Sequence, residues 1–466
     1  MSIPRAYFNI ILLVFYRFTD YIEGAAQNIE EVCAKIEKNK GKMVDNVFNK
    51  KYNIYDDKKQ NFNSIFNYNR RKMTNIFDYI KWRGDVMFSS SGLNEIDSLI
   101  FCELSYIPFD NIISSDFSEN GLTIEEIYDL YFDGLDEKIN MGAIIPTEKI
   151  IPLFEMLSHS ERFKDIRLHS YVNEISPDEE KQFSALCFDI PSESLTYIAF
   201  RGTDDNLIGW KEDCNMALFT PIPAQNQGLK YLNKIAQSTQ NKLIVGGHSK
   251  GGNIAVYASF LAEKEAKSKI IAIHNFDGPG FREDFLELTK SSPATIRKVT
   301  NFMPDSSLIG SIFDTVGRRI YVKSNAKGLY QHDAFTWYLE RIHFITVPSL
   351  AKSSVQFHRS LKNWVADMSD VEKKEFVDAF FKLCMVNDSG TLTDIVSNKF
   401  KFIGALFKAD EKSKKTVMKT FFGSVRGFLG IKKKPNKLTK NEEEILKKAH
   451  ILALPAEVST RQENEK

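Results

Sequence analysis

The stretch from Lys242 to Ala258 constrains the fold more than any other part of the chain. It begins with a short apolar run, Leu243 to Val245, which predicts a buried strand, and it ends in an alanine-rich segment, which predicts a helix packed on that strand. Between them, Gly247-His248-Ser249-Lys250-Gly251 fits the pattern G-x-S-x-G. Strand, sharp turn and helix are the context in which this pattern forms a nucleophile elbow, with the serine exposed on a strained turn. The alternative is a glycine-rich turn that only packs, which leaves the exposed serine and the tight glycines without a reason.

Apolar runs on both sides of this stretch alternate with helical patterns. We expect strands at Ile166–Ile175, Phe183–Asp189, Leu195–Phe200, Ile270–Asn275, Ile296–Phe302 and Arg319–Lys323. The run Leu195–Phe200 has no polar alternation, which is typical of a strand covered on both faces. Alternating strands and helices predict a mostly parallel sheet with helices on both faces. Together with the elbow, the pattern predicts an α/β-hydrolase fold.

The remaining segments predict three parts of the chain. Residues 1–72 are rich in Asn and Lys with broken periodicity, and they are expected to form a partly helical or poorly ordered extension. Residues 73–393 are expected to form the hydrolase domain, in which 73–166 is a helical, cap-like segment that covers the mouth of the site as a lid would. Residues 394–466 are expected to form a basic helical tail.

Composition narrows the class of protein. The chain has 466 residues, 43% of them hydrophobic and 26% charged, which is typical of a globular domain, and its net charge of +1 gives no overall attraction to nucleic acid. No His/Cys cluster has zinc-ligand spacing, so no metal or cofactor is expected. The five cysteines are scattered and odd in number, which predicts a reducing compartment such as the cytoplasm and no disulfide framework. These cysteines are at positions 33, 102, 187, 214 and 384.

Two segments leave open a contact with a membrane. Tyr7 to Tyr16, within residues 1–20, is apolar but shorter than the roughly 20 residues that span a bilayer, and no small-residue cleavage site follows it. It is read either as a helix packed on the body or as a signal-like or membrane-touching segment. Residues 399–434 combine basic side chains with phenylalanines. They are typical either of an exposed helix or of a helix that binds a membrane surface or a partner. Oligomeric state stays open.

If Ser249 is a nucleophile, it requires a base that takes its proton and a carboxylate that orients the base. In an α/β-hydrolase these follow the serine in the order acid, then histidine. His332 lies in a loop after the last strong strand, where the base is expected, whereas His274 lies inside a predicted strand. We therefore assign His332 as the base.

Two carboxylates compete for the role of the acid. Asp305 follows the strand that stops at Pro304, and Asp277 follows the strand at 270–275. Both lie at carboxyl ends of strands, where sites gather in α/β sheets. Asp305 is the favoured acid and Asp277 the alternative, while Asp333 is adjacent to the base and less suited to orient it.

Acyl transfer also requires hydrogen-bond donors for the developing oxyanion. The backbone N–H of Lys250, directly after the nucleophile, is one expected donor. Thr203, in the loop Phe200-Arg201-Gly202-Thr203 at the end of a buried strand, is expected to supply the other. The alternative for this loop is a turn with an exposed arginine. The side chain of Lys250 is expected at the surface, with no part in the chemistry.

Three motifs together resemble a bacterial α/β-hydrolase family of uncharacterised function, the Mbeg-like proteins, which is itself similar to the class 3 lipases. They are Phe200–Thr203, Gly247–Asn253 and Gln331–Asp333. The segment from Asn75 to Gly84, with the nearby 94–98 and 104–106, resembles the family's N-terminal signature. The likeness runs from Met73 to Thr393.

Further details resemble the class 3 lipases. Phe276-Asp277-Gly278-Pro279 looks like their Gly-x-Pro loop, and Val299–Asn301 followed by Asp305 resembles their acid-bearing strand. Two features depart from their pattern: Lys250 replaces a small or hydrophobic residue, and Asp305 is spaced differently from its strand. The resemblance implies an α/β-hydrolase fold and an esterase-like mechanism, but no particular substrate.

These observations predict a serine hydrolase that cleaves carboxylic esters, including those of lipids, through an acyl-enzyme. Ser249 is the expected nucleophile, His332 the base and Asp305 the orienting acid. Two alternatives remain open: an acyltransferase that uses the same residues, and a non-catalytic scaffold whose basic C-terminal helix binds a membrane or a partner.

Overall fold

The computed structural model describes residues 74–117, 121–133, 147–204, 207–219, 221–366 and 368–384. The extensions expected at 1–72 and 394–466 lie outside these residues, and so do the candidate membrane-contact segments 1–20 and 399–434.

Among the described residues, nine strands form one sheet in the order β1-β2-β3-β4-β5-β6-β7-β8-β11. The five strands from β4 to β8 are parallel, whereas β1, β2 and β3 at one edge and β11 at the other pair antiparallel with their neighbours. The strands β9 and β10 form a separate antiparallel pair. The bounds are β1 Leu122–Thr123, β2 Arg167–Ser176, β3 Lys181–Ile190, β4 Leu195–Phe200, β5 Lys242–His248, β6 Ile270–Phe276, β7 Val299–Pro304, β8 Arg318–Val322, β9 Leu339–Glu340, β10 His343–Phe344 and β11 Thr346–Val347.

Helices flank the sheet and join its strands. Their bounds are α1 Ile76–Arg83, α2 Glu95–Leu104, α3 Ile124–Asp133, α4 Thr147–Ser158, α5 Leu207–Leu218, α6 Pro223–Ser238, α7 Lys250–Leu261, α8 Lys264–Lys269, α9 Glu283–Thr289, α10 Pro293–Ile296, α11 Lys352–Ala366 and α12 Asp370–Cys384. The sequence explains several of the starts. Asn94, for example, accepts from the backbone N–H groups of Ile96 and Asp97, and Asp97 accepts from the N–H of Asn94, which is a capping box.

The sheet separates two apolar layers because successive side chains of a strand point to opposite faces. Tyr197 and Ala199 of β4 pack in one layer with residues of α1 to α4, and Ile198 and Phe200 pack in the other with residues of α6 and α7. The helical segment that begins at Ile76 therefore packs on the face of the sheet that carries Tyr197 and Ala199.

The parallel centre, the helices on both faces and the elbow between β5 and α7 make this an α/β-hydrolase fold, as the sequence predicts. The antiparallel edges refine that prediction. The strands β1 and β11 have two residues each, too few to show periodicity in the sequence. Helix α5, directly after the expected donor loop, is also absent from the sequence prediction.

Candidate active site

The backbone of Ser249 is strained as a nucleophile elbow requires. It joins β5 to α7 with φ 57° and ψ −130°, a conformation that residues with a side chain rarely adopt. The glycines two residues before and after Ser249 are at positions with no room for a side chain. A Cβ on Gly247 would lie 2.2 Å from the carbonyl carbon of Gly251, and one on Gly251 would lie 1.9 Å from the Phe200 oxygen. Ser249 itself is only partly buried. The tight glycines thus hold a reachable hydroxyl at the end of the strand.

His332 is held by a buried carboxylate, and that carboxylate is Asp277. The His332 Nδ1 lies 2.8 Å from Asp277 Oδ2, and Asp277 is 1% exposed. The second carboxylate oxygen accepts from the Ser307 hydroxyl at 2.5 Å and from the Gly310 N–H at 3.2 Å. Burial raises the pKa of Asp277, while the hydrogen bonds from His332, Ser307 and Gly310 oppose that rise. With Nδ1 donating to Asp277, the other ring nitrogen of His332 is left to accept a proton.

The expectation that Asp305 orients the His332 ring is wrong. Asp305 follows β7, one strand farther from the elbow than β6, and its Oδ1 accepts from Gln331 Nε2 at 2.8 Å. The N–H of Ser306 donates to Gln331 Oε1 at 2.8 Å. Asp305 therefore fixes the residue before His332, while the strand next to the elbow strand supplies the carboxylate that reaches the ring.

His248, the residue before the serine, holds the His332 loop from the other side. Its Nε2 donates to the His332 carbonyl at 2.9 Å, and the two rings stack with centroids 4.6 Å apart. The Tyr106 hydroxyl lies 3.1 Å from the other ring nitrogen of His248. Burial, with a smaller contribution from His332, lowers the pKa of His248 well below its ordinary value, so it stays neutral. The elbow and the base are thus joined by a direct contact that the motif alone does not reveal.

The expected donor loop lies directly against the elbow. A Cβ on Gly202 would lie 3.0 Å from Ser249 Cβ and 2.8 Å from the His248 oxygen. Thr203 is 5% exposed, and its hydroxyl oxygen makes no hydrogen bond within the usual limits. Arg201 is also buried, and it donates to Asn173 Oδ1 at 3.0 Å, which rules out the alternative of a turn with an exposed arginine.

The expectation of a surface lysine in the elbow is wrong. The Lys250 side chain is 1% exposed. Its Nζ donates to the Gln182 carbonyl at 2.9 Å, to Gln182 Oε1 at 3.1 Å and to Glu212 Oε2 at 3.1 Å. A buried ammonium group requires such a set of acceptors, and the acceptors come from β3 and α5. No pattern in the sequence connects these three distant positions.

Asp213 is a further acid near the site that the sequence prediction missed. Burial raises its pKa to about 6, while the charge of Lys250 and the hydroxyl of Thr203 oppose the rise, as does His332 to a smaller extent. Its Oδ1 is buried and makes no hydrogen bond within the usual limits. Asp213 is therefore, besides Asp277, a second carboxyl group in the surroundings of His332.

The other residues considered from the sequence lie apart from this arrangement. His274 is in β6, as expected; its Nδ1 lies 3.0 Å from the Ser98 hydroxyl, and burial lowers its pKa to about 4. Asp333 forms an ion pair with Lys149 and accepts from the Phe335 N–H at 3.0 Å. None of these interactions involves the ring of His332.

A family model matches the part of the chain that carries these residues. Residues 157–382 match the family described as Mbeg1-like. The predicted resemblance to these proteins is confirmed over that segment. The matched segment begins at the end of α4 and runs into α12, so it contains the elbow, the donor loop, Asp277 and His332. No curated protein matched the chain.

Several solved lipase structures are similar to the chain. A fungal lipase–inhibitor complex is 12% identical, covering 49% of this chain and 80% of its own, with a TM-score of 0.31. A Rhizomucor miehei lipase propeptide complex is 13% identical, covering 47% and 79%, with a TM-score of 0.27. A triacylglycerol lipase described as having a serine protease triad is 14% identical, covering 49% and 80%, with a TM-score of 0.31. Among the described residues, no helix combines the length and the apolar character needed to cross a membrane.

Proposed function

We propose that the protein is a serine hydrolase that cleaves carboxylic esters through an acyl-enzyme on Ser249. The observation that carries the proposal is the direct connection between elbow and base. The strained serine follows His248, and His248 binds the backbone of His332, whose ring is paired with the buried carboxylate of Asp277. The sequence resemblance to class 3 lipases supports lipid esters as the substrate class.

In the proposed reaction Ser249 Oγ attacks the ester carbonyl, and His332 takes its proton through the nitrogen that does not face Asp277. The same nitrogen then protonates the leaving alcohol. Asp277 keeps the ring in the required tautomer and stabilises the imidazolium that forms. Water, activated by His332, hydrolyses the acyl-enzyme and releases the acid. An acyltransferase differs only in using an alcohol in place of this water.

The Lys250 N–H and Thr203 are the proposed donors to the oxyanion. The buried position of Thr203, in a loop that packs against Ser249, supports its part. The position of Lys250 supports the other, because its N–H is at the start of α7, directly after the nucleophile.

Replacement of Ser249 tests the proposal. We expect Ser249→Ala to reduce kcat for p-nitrophenyl esters by at least about 10³-fold, since the nucleophile is lost, with little change in the melting temperature. The matched control is Ser268→Ala, whose hydroxyl donates to the backbone oxygen of Glu265 at 2.6 Å in an exposed position. We expect the control to retain full turnover. Unchanged turnover in Ser249→Ala would overturn the proposal, and esters formed with added alcohols would identify an acyltransferase.

A further inference from the structure

The side chain of Lys250, inside the elbow, makes buried contacts that the G-x-S-x-G motif does not explain. Lys250 and Glu212 form a buried ion pair in which both side chains are at most 1% exposed. Glu212 also accepts from the N–H of Gln182 at 3.0 Å and from the N–H of Ala224 at 2.9 Å. Each partner is therefore held by several hydrogen bonds in a fixed orientation, which a pair of apolar side chains would not provide.

We propose that the Lys250 side chain is a positioning residue that sets the spacing of the two oxyanion donors. This inference rests on the proposed function. The Lys250 backbone N–H is the first of these donors, and the side chain of the same residue reaches across to β3 and α5. Any displacement of α5 or β3 relative to α7 is thus transmitted to the residue that carries the donor.

The second donor contacts the same helix. Gly209 lies one turn before Glu212 on α5, so both are on one face of the helix. A Cβ on Gly209 would lie 2.8 Å from Thr203 Cγ2 and 2.0 Å from Gln182 Oε1. Thr203 therefore packs directly against one turn of α5, and Lys250 binds the next turn. The ion pair closes a ring of contacts that runs from one donor to the other.

The outer surface of α5 is also held by ion pairs, so a change at Lys250 is not absorbed by a movement of the whole helix. Lys211 forms ion pairs with Glu180 at 2.6 Å and with Asp378 of α12 at 2.9 Å. Since α5 is held against α12 on that side, the length of the Lys250–Glu212 contact determines how closely α7 approaches α5. A shorter or uncharged pair is expected to change the distance between the donors while the fold is retained.

The chain contains a control for the ordinary effect of losing a buried ion pair. Arg162 and Asp97 are fully buried, with Nη2 2.5 Å from Oδ2, and they lie in the layer on the other face of the sheet. Arg162 also donates to the backbone oxygens of Val86, Ser91 and Gly92. The hydrogen bonds of this pair do not involve Ser249, His332 or Asp277, so its loss is expected to lower stability without removing a contact of the proposed triad.

The test compares the double variant Lys250→Met/Glu212→Gln with Arg162→Met/Asp97→Asn. Both are expected to have a lower melting temperature. With p-nitrophenyl butyrate below that temperature, we expect the first variant to lose about 10- to 100-fold in kcat with KM within about twofold of the wild type, because oxyanion donors act on the transition state. The second variant is expected to keep the wild-type kcat. A structural role alone would lower the melting temperature of both variants and the kcat of neither.

A milder variant covers the case in which Lys250→Met/Glu212→Gln does not fold. Glu212→Asp keeps both charges and shortens the contact by one methylene group, and we expect it to lower kcat about 3- to 10-fold with KM retained. Wild-type kcat in whichever variant folds would overturn the role of Lys250 while leaving the hydrolase proposal in place. Lack of Ser249-dependent turnover in the wild type would overturn both.

Discussion

Asp277 and Asp305 follow neighbouring parallel strands, yet they hold different parts of the same loop. Asp277, after β6, has a positive φ of 51°, is almost fully buried and binds the ring of His332. Asp305, after β7, is only partly buried and binds the side chain of Gln331. Two carboxylates at the same edge of a sheet thus have different roles. Asp277 orients the ring of His332, and Asp305 holds the neighbouring residue of the same loop.

The loop of His332 is held from further directions as well. The Gln331 carbonyl accepts from Trp337 Nε1 at 2.7 Å, and the His332 carbonyl accepts from His248. Because several contacts fix the backbone, the loss of one of them is expected to be tolerated. The ring of His332, in contrast, depends on Asp277 for its orientation. The comparison therefore predicts unequal effects of equivalent substitutions.

The largest difference is expected for Asp277→Asn. The amide presents either an oxygen or an NH₂ group to His332 Nδ1, and it does not stabilise the imidazolium, so kcat for p-nitrophenyl esters is expected to fall on the order of 10³- to 10⁴-fold. KM is expected to change little, because the substitution affects the proton transfer by His332 and not the binding of the substrate. Steady-state kinetics below the melting temperature measure both values. Activity close to that of the wild type would remove Asp277 from the proposed triad.

A much smaller loss is expected for Asp305→Asn. The amide oxygen still accepts from Gln331 Nε2, and only the additional strength of a charged acceptor is lost. We expect kcat to fall by about three- to tenfold, which corresponds to roughly 1 kcal/mol of weakened positioning. The same assay, performed beside Asp277→Asn, compares the two acids directly. An equal or larger loss for Asp305→Asn would reverse the roles assigned here.

The effect expected for Asp213, the third acid in this region, concerns stability and not turnover. The pKa of Asp213 is raised to about 6 in the folded protein, so the folded state binds the proton more tightly than the unfolded state. The stability that this carboxyl contributes is full below its ordinary pKa near 4 and is lost as the pH rises through 6. Asp213→Asn is therefore expected to raise the free energy of unfolding at pH 8 by on the order of 2 kcal/mol.

This gain has a specific pH dependence. It is expected to decline as the pH is lowered through 6 and to be largely absent at pH 4, as measured by urea unfolding at both ends of that range. A gain that stays constant between pH 8 and pH 4 would show that Asp213 does not titrate with a raised pKa.

The features that the sequence predicts correctly are local ones. The apolar run, the two glycines and the helix after Ser249 lie within one short stretch, and so the elbow and its strand were predictable. The parallel strands were predictable from the same kind of run. The position of His332 followed from chain order, and the structure places its ring beside a carboxylate.

The features that the sequence does not predict depend on contacts between residues that are distant in the chain. Asp277 and Asp305 look equivalent in the sequence. They are distinguished only by the position of the His332 loop, which brings the ring to Asp277 and the side chain of Gln331 to Asp305. The burial of Lys250 depends on Glu212 and on a backbone oxygen 68 positions away, which no local pattern indicates. The clue that was present was the lysine itself, since a charged residue directly after the nucleophile, in a tightly packed elbow, requires a buried partner.

The identity of the residue modified by a fluorophosphonate tests the central claim most directly. The probe reacts only with a serine that is activated by a base, and mass spectrometry of the peptides locates the adduct. We expect one adduct, on Ser249, that is absent in Ser249→Ala and forms more slowly in Asp277→Asn. Folded wild-type protein that stays unlabelled, or that carries its adduct on another residue, would contradict the proposed nucleophile.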